Sequence, residues 1–290
     1  MTVCDAWVSE TRAPSFVELS LSPYFDRRGP SLYEAFQDGR RDRAEFRRVI
    51  AASAPPPPEG KRGVLGIDAR SIARPASPTA RDRSSQYVHN LPSCAAPVTP
   101  GGSFSAVVVL PEEPPSWTSV LDNQRIETKQ TPTEVAQEQL RALVPLLPSS
   151  PLGLGDRGYG NAAFVQATQD IPCDGLLRIS QDRVFYRAAP PVTGKRGAPR
   201  KDGSRFKGSD PSTHGAPEVD GEGVDSRGGR GEVARGNTLP FKQCRDPTVS
   251  LFRILRHGAP DSKRDPKVSG FVWVKRTEAP EPLLSEIPSL

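Results

Sequence analysis

Two aspartates stand out for where they fall. Asp68 closes the short apolar run Val64-Leu65-Gly66-Ile67, and Asp156 closes Leu152-Gly153-Leu154-Gly155. Apolar runs of this length read as buried strands, so each carboxylate is expected where a strand ends and leaves the core. Two carboxylates at one sheet edge repel each other, and a divalent cation removes that cost. Such a pair suits phosphoryl transfer, in which the metal lowers the pKa of an attacking water and offsets charge on the scissile phosphate. An Asp after an apolar run is also a common strand-end cap, and spacing alone favours that plainer reading. Cys4, Cys94, Cys173 and Cys244 form no C-x-x-C pair, and His89, His214 and His257 are equally scattered. A structural zinc site is therefore not expected, and the cysteines read as ordinary reduced thiols.

The elements that must position these acids can be read coarsely. Residues 1–54 read as a short N-terminal helical segment. Ser31-Leu32-Tyr33-Glu34 has capping-box spacing with Gly39 as a stop, and Asp42-Arg43-Ala44-Glu45 repeats the signal. Behind it Phe46, Val49 and Ile50 form an apolar stripe flanked by Arg43, Arg47 and Arg48, which reads first as a solvated helix face and second as a phosphate contact. Four prolines at 55–58 make a stiff connector. After the strand ending in Asp68, a polar stretch over 70–100 leads to a valine-rich strand over 104–110 and a third strand over 117–126. Thr131-Pro132-Thr133-Glu134 gives the clearest helix start, and Ala136, Leu140, Leu143, Val144 and Leu147 fall on one face behind it. The strand ending in Asp156, a short helix over 161–170 and strands over 175–180 and 183–187 follow. Three strands and then alternating helix and strand describe an α/β fold, an RNase H-like mixed sheet with flanking helices. In such a sheet the first and fourth strands are neighbours, which would bring Asp68 and Asp156 together.

The first part of that core spans residues 62–188. Residues 189–248 are dense in Gly, Pro, Asp, Ser, Lys and Arg and nearly free of large apolar side chains, so they read as a long flexible insertion with little regular structure. Residues 249–290 return as strands over 249–256 and 270–276 and then a Pro-rich tail. Pro and Gly number 32 and 25 of 290 residues, about a fifth of the chain, which fits a folded part interrupted by irregular stretches. The net charge is +5, and the first 150 residues balance at 17 Lys and Arg against 17 Asp and Glu, so the excess lies in the second half. A polyanionic partner would be met there. Lys195, Arg196, Arg200, Lys201, Arg205 and Lys207 form its densest basic cluster, a solvated loop on charge alone. No apolar run approaches a membrane span and no secretory signal is readable, so a cytoplasmic protein that is not membrane-bound is expected.

The residues around the two acids also carry a family likeness. Val64-Leu65-Gly66-Ile67-Asp68-Ala69-Arg70, continued by Ser77-Pro78-Thr79-Ala80-Arg81-Asp82-Arg83, resembles the first catalytic block of bacterial insertion-sequence transposases of the DDE superfamily. Val109-Leu110-Pro111-Glu112-Glu113, Leu121-Asp122 and Arg125-Ile126 are similar to the family's second and third strands. Leu154-Gly155-Asp156-Arg157-Gly158-Tyr159-Gly160 resembles its second catalytic block. Gly197-Ala198-Pro199-Arg200 and Asp210-Pro211-Ser212-Thr213-His214 are similar to its insertion, and Phe16-Val17-Glu18-Leu19 to its N-terminal helical part. The likeness runs from about Pro14 to about Lys275.

The resemblance implies an RNase H-like endonuclease whose substrate is transposon-end and target DNA. It implies Asp68 and Asp156 as the catalytic and metal-binding acids, with Mg²⁺ or Mn²⁺ as cofactor. A metal-activated water would cut a strand, and the freed 3′ hydroxyl would attack target DNA without a covalent enzyme intermediate. In that context the basic cluster from Lys195 to Lys207 reads as a phosphate-contacting loop. Tyr159 beside Asp156 is open to three readings: stacking on DNA, orienting the acid, or packing at the rim. The family's third acid is a Glu on a helix after the last strand. Glu278, Glu281 and Glu286 sit among Pro280, Pro282 and Pro288, where a helix is not expected. The expectation is therefore a chain truncated at its C-terminus and inactive in cleavage. The alternative is a non-catalytic transposase remnant that binds DNA or an intact transposase. Homo-oligomer formation is left open by the sequence.

Overall fold

A computed structural model describes residues 6, 8–10, 15–25, 29–40, 42–76, 79, 82–87, 98–111, 118–187, 189–191, 198, 200–216, 219–224, 230–236, 249–256 and 267–277. The chain divides into two compact units, Met1–Phe46 and Arg47–Leu290. In the first unit, α1 (Phe16–Leu19) and α2 (Gly29–Asp38) enclose a small cluster of Leu19, Phe25 and Leu32, with Phe16 packed edge-on to Tyr33. Helix α2 begins at Gly29, so Ser31 lies inside it rather than capping it. Asp42 does cap the next helix, α3 (Arg43–Ser53): its Oδ1 accepts from the amides of Ala44 and Glu45.

The second unit is built on one mixed sheet. Strand β1 (Val64–Ala73) pairs antiparallel with β3 (Val98–Leu110), which pairs with β4 (Ser119–Ile126). On its other side β1 runs parallel to β5 (Leu152–Gly155), and β5 runs parallel to β6 (Asp174–Ile179). The order β4-β3-β1-β5-β6, with three antiparallel strands followed by two parallel ones, is the RNase H-like arrangement. Beyond β6 the sheet continues antiparallel through β12 (Lys267–Val274), β11 (Val249–Arg256), β10 (Arg230–Gly236) and β9 (Val219–Val224).

One face of the sheet is sealed by α4 (Pro132–Leu143) and α5 (Ala162–Ala167). Leu65, Ile67, Val107 and Leu121 from the strands meet Ala136, Leu140, Leu143, Phe164 and Val165 from the helices. Helix α4 starts at the expected capping box: the Glu134 amide donates to the Thr131 hydroxyl at 3.3 Å, and the Thr131 amide donates to Glu134 Oε2 at 2.7 Å. The Thr131 amide, and the Thr131 hydroxyl donating to the same oxygen at 2.9 Å, hold the Glu134 carboxyl below its usual range. Gln139 lies on the buried face of α4, where Ser105 Oγ donates to its Oε1 at 2.7 Å and its Nε2 donates to the Ser105 carbonyl at 3.0 Å. The pair is fully buried and fully bonded, so it ties the helix to β3 at a fixed position. Burial pushes the Cys173 thiol up to about 12, an inert core thiol.

The structure corrects several sequence expectations. Asp68 does not end its strand, because β1 runs on to Ala73 against β3. Fully buried side chains stop at Ile67, but alternation of exposed and half-buried side chains continues, and one partner strand is enough to hold it. The polar stretch after Arg70 contains β2 (Ser84–Tyr87), whose Gln86 bonds to Ser71, Ser84 and Ser103. Arg47 is more than a solvated charge: it donates to Asp122 Oδ2 at 2.7 Å, and the two side chains are 14% and 11% exposed.

The span 189–248 also holds more regular structure than expected. Strand β8 (Arg205–Lys207) pairs with β7 (Val184–Tyr186), a 3₁₀ turn covers Pro211–Thr213, and β9 and β10 extend the main sheet. Composition underestimated it for two reasons. One buried aromatic, Phe206, anchors β8 against Phe185, and a ladder such as β9–β10 is held by backbone hydrogen bonds that Gly and charged residues supply as well as any. The tail with Glu278, Glu281 and Glu286, as well as Lys195 and Arg196, lies outside the described residues.

Candidate active site

The register of β1 against β5 sets the site. Val64, Leu65, Gly66 and Ile67 face Leu152, Gly153, Leu154 and Gly155, and the parallel ladder stops there. The next residue on each strand is an aspartate. Asp68 and Asp156 therefore follow the last rung of the ladder at the same level, and both are exposed where the buried apolar rungs below them end. β5 ends at Gly155, while β1 carries Asp68 onward along β3.

Asp156 is held by a tight turn. Its Oδ1 accepts from the Gly158 amide at 2.8 Å, and its carbonyl accepts from the Tyr159 amide at 3.1 Å. Asp68 Oδ1 accepts from the Ala69 amide at 2.8 Å. The Oδ2 of each has no protein partner among the described residues. Two exposed carboxylates at one level of adjacent strands, each with an oxygen to spare, are of the type that could hold a hard divalent cation, which takes one or two carboxylates and completes its shell with water and phosphate oxygens. Among the described residues no cluster of three His, Cys, Asp or Glu side chains forms.

Tyr159, left open between three readings above, is buried at 2% exposure and packs edge-on to Phe164 at 5.3 Å. Stacking on DNA is thereby excluded for this conformation. Burial pushes its phenol well above the usual range, the adjacent Ser105 acts the other way, and the charges of Asp68 and Asp156 add to the rise.

The expected basic cluster is only partly exposed among the described residues. Arg200, Lys201 and Arg205 are exposed and Lys207 is half-buried. Arg205 lies 3.8 Å from Asp210, and β8 is braced by His214, whose ring stacks on Phe206 and whose Nε2 meets the Lys207 carbonyl at 2.9 Å. Sequence reasoning gave no role to two cations closer to the acids. Arg70 follows Asp68 by two residues on the same face of β1, and Arg157 follows Asp156 directly; both are exposed and make no ion pair among the described residues. Arg70 also faces Phe104, which in turn faces Arg125 on β4, so a cation, a ring and a cation line one rung beside the carboxylates. The two-residue alternation of strands was the signal that could have found them. No described helix is long and apolar enough to cross a membrane.

Comparison with known proteins identifies a family. A family model described as DDE superfamily endonuclease matches residues 2–230, a span that includes Asp68, Asp156, Arg70 and Arg157. Among curated proteins no match is found. Nucleases of this superfamily act on DNA and use divalent metal ions. With most of its length matched and two acids on neighbouring strands of an RNase H-like sheet, the chain belongs to the DDE superfamily endonucleases.

Proposed function

We propose that this protein is a transposase-type nuclease whose Asp68 and Asp156 jointly hold a divalent cation, Mg²⁺ or Mn²⁺, for cleavage at transposon ends and strand transfer into target DNA. The observation that carries the reading is the parallel register of β1 and β5, which ends on both strands one residue before an aspartate. A cation held there would activate water and offset the charge that develops on the scissile phosphate. The protein's own part is to fix the two carboxylates. Asp156 is fixed by the Gly158 amide and Asp68 by the paired backbone of β1 and β3. Arg70 and Arg157, close in sequence to the two acids, then supply positive charge for the phosphates that flank the cut, and the Phe104 ring offers a face to a base or sugar. Lys195, Arg196, Arg200, Lys201, Arg205 and Lys207 add sequence-tolerant phosphate contacts farther along the DNA, which makes binding steeply salt-dependent.

A second reading, DNA binding without cleavage, rests on the sequence: Glu278, Glu281 and Glu286, the acids after the last strand, sit among prolines where a helix bearing a third ligand is not expected. A two-carboxylate site holds one cation more readily than the two that clamp attacking and leaving oxygens, and losing that share of transition-state stabilisation lowers the rate by orders of magnitude. One assay separates the readings. Duplexes carrying the element's ends are incubated with protein and Mg²⁺ or Mn²⁺, with Asp68→Ala as control. Nicking that disappears in Asp68→Ala supports the nuclease; DNA binding with no nicking supports the non-catalytic reading.

A further inference from the structure

The antiparallel part of the sheet has two unlike faces. Leu65, Ile67 and Val107 belong to the core under α4 and α5, and Ser105 bonds to Gln139 on that side. Alternation puts the residues between them on the opposite face: Asp68 and Arg70 on β1, Phe104 on β3 and its partner Arg125 on β4. Asp68, Arg70 and Arg125 are exposed and Phe104 is half-buried. Arg70 pairs directly across from Phe104, and Phe104 directly across from Arg125, so one ring stands between two cations. Arg125 is held in place, its Nη2 donating to the Asp82 carbonyl at 2.7 Å. A Cβ built on Gly102 would lie 3.8 Å from Arg125 Nη2 and 3.9 Å from Phe104 Cε2, so the guanidinium and the ring edge lean over the same glycine. The acids Asp122 and Asp82 are engaged by Arg47 and by the Thr128 amide, which leaves the rung cationic. Asp68 is two residues along β1 from Arg70, about 7 Å in an extended strand.

Two chemistries meet on this rung. The cations suit phosphate anywhere on DNA, whereas the ring suits a duplex poorly, because stacked and paired bases keep their faces against one another. A ring set into a sheet between two cations is the arrangement that takes a base lifted out of the stack. Resting on the nuclease reading above and deepening it, we propose that the Arg70–Phe104–Arg125 rung receives an unpaired nucleotide of the DNA end, with its base stacked on Phe104 and its flanking phosphates held by the two guanidiniums. The substrate at this face is then a frayed end rather than a continuous duplex, and the unpaired nucleotide lies beside Asp68.

The test is fluorescence anisotropy of the full chain in EDTA, where the divalent-cation site plays no part. A flush-ended duplex is compared with the same duplex carrying a short unpaired tail, for wild type, Phe104→Leu, Phe104→Trp and the double variant Arg70→Gln/Arg125→Gln, with a thermal melt of each. Wild type is expected to bind the tailed duplex about tenfold more tightly than the flush one. Phe104→Leu should lose that advantage at unchanged flush-duplex affinity, Phe104→Trp should keep it, and the double variant should reduce it. Equal binding of tailed and flush duplexes by wild type overturns the inference, and so does an advantage that survives in a folded Phe104→Leu. If Phe104→Leu fails to fold, the exposed double variant decides: an unchanged advantage there overturns the inference. Wild type that binds neither duplex overturns the DNA reading and this inference together. A tail advantage lost in Phe104→Leu supports the inference even where Asp68-dependent nicking is absent, in which case cleavage alone falls.

Discussion

The parallel ladder of β1, β5 and β6 has aspartates at both of its ends, Asp174 at one and Asp68 and Asp156 at the other, and the two ends treat them oppositely. At the start of β6, Asp174 is fully buried and accepts four hydrogen bonds: Oδ1 from the amides of Arg276 at 2.5 Å and Thr277 at 2.9 Å, Oδ2 from Arg62 Nη1 at 2.8 Å and the Thr277 hydroxyl at 3.1 Å. That carboxylate is saturated, and it clamps the chain after β12 to the sheet. At the other end, Asp68 and Asp156 are exposed and each keeps an oxygen without a protein partner among the described residues. A saturated carboxylate serves the fold; two unsaturated ones on adjacent strands cost repulsion, which a cation bound as proposed would remove.

The sharpest way to break this contrast is to remove the saturated acid. Asp174→Ala leaves Arg62 half-buried without its partner and strips two amides, so a loss of about 3–5 kcal/mol is expected in denaturant melts. Mn²⁺ affinity of the fraction that stays folded should be unchanged. Gly160→Ala is next: its new Cβ meets backbone rather than a mobile side chain, and about 1–3 kcal/mol should be lost, with weaker Mn²⁺ binding because the Asp156 turn shifts. Asp68→Asn removes an exposed charge from a like-charge pair, so stability should move by about 0.5 kcal/mol or less while Mn²⁺ binding is lost. A stability loss as large as that of Asp174→Ala would show that both ends are structural.

The smallest effect belongs to a surface pair. The bond from Arg141 holds the exposed Asp170 carboxyl below its ordinary 3.8. A depressed folded-state pKa contributes stability above the ordinary value and loses it as the pH falls through the lowered one. Arg141→Gln should therefore lower Tm slightly at pH 7, less in high salt, and the difference from wild type should vanish in acid.

The Asp68–Asp156 end of the sheet was more legible than the Asp174 end. That Asp68 and Asp156 fall on adjacent strands could be read because each breaks an apolar run, and the helix at Pro132 because its capping chemistry is local. The Asp174 clamp was not legible: its partners Arg62, Arg276 and Thr277 lie about 100 residues away in sequence, and nothing local distinguishes a saturated Asp from a solvated one. Tyr159 could be singled out but not placed, because its burial depends on Gly155 and Gly160 letting the turn lie flat on β5 and β6. Averaging the composition over 189–248 hid Phe206. Arg47 read as solvated because its partner Asp122 lies on a different element.

The central claim is that Asp68 and Asp156 form one cation site. Isothermal titration of Mn²⁺ into wild type, Asp68→Asn, Asp156→Asn and the double variant tests it most directly. One site predicts that each single substitution abolishes most of the binding and that the double variant is no worse than either single one, since ligands of one ion are strongly non-additive. Two independent partial losses that add in the double variant, or full affinity in either single variant, would contradict it.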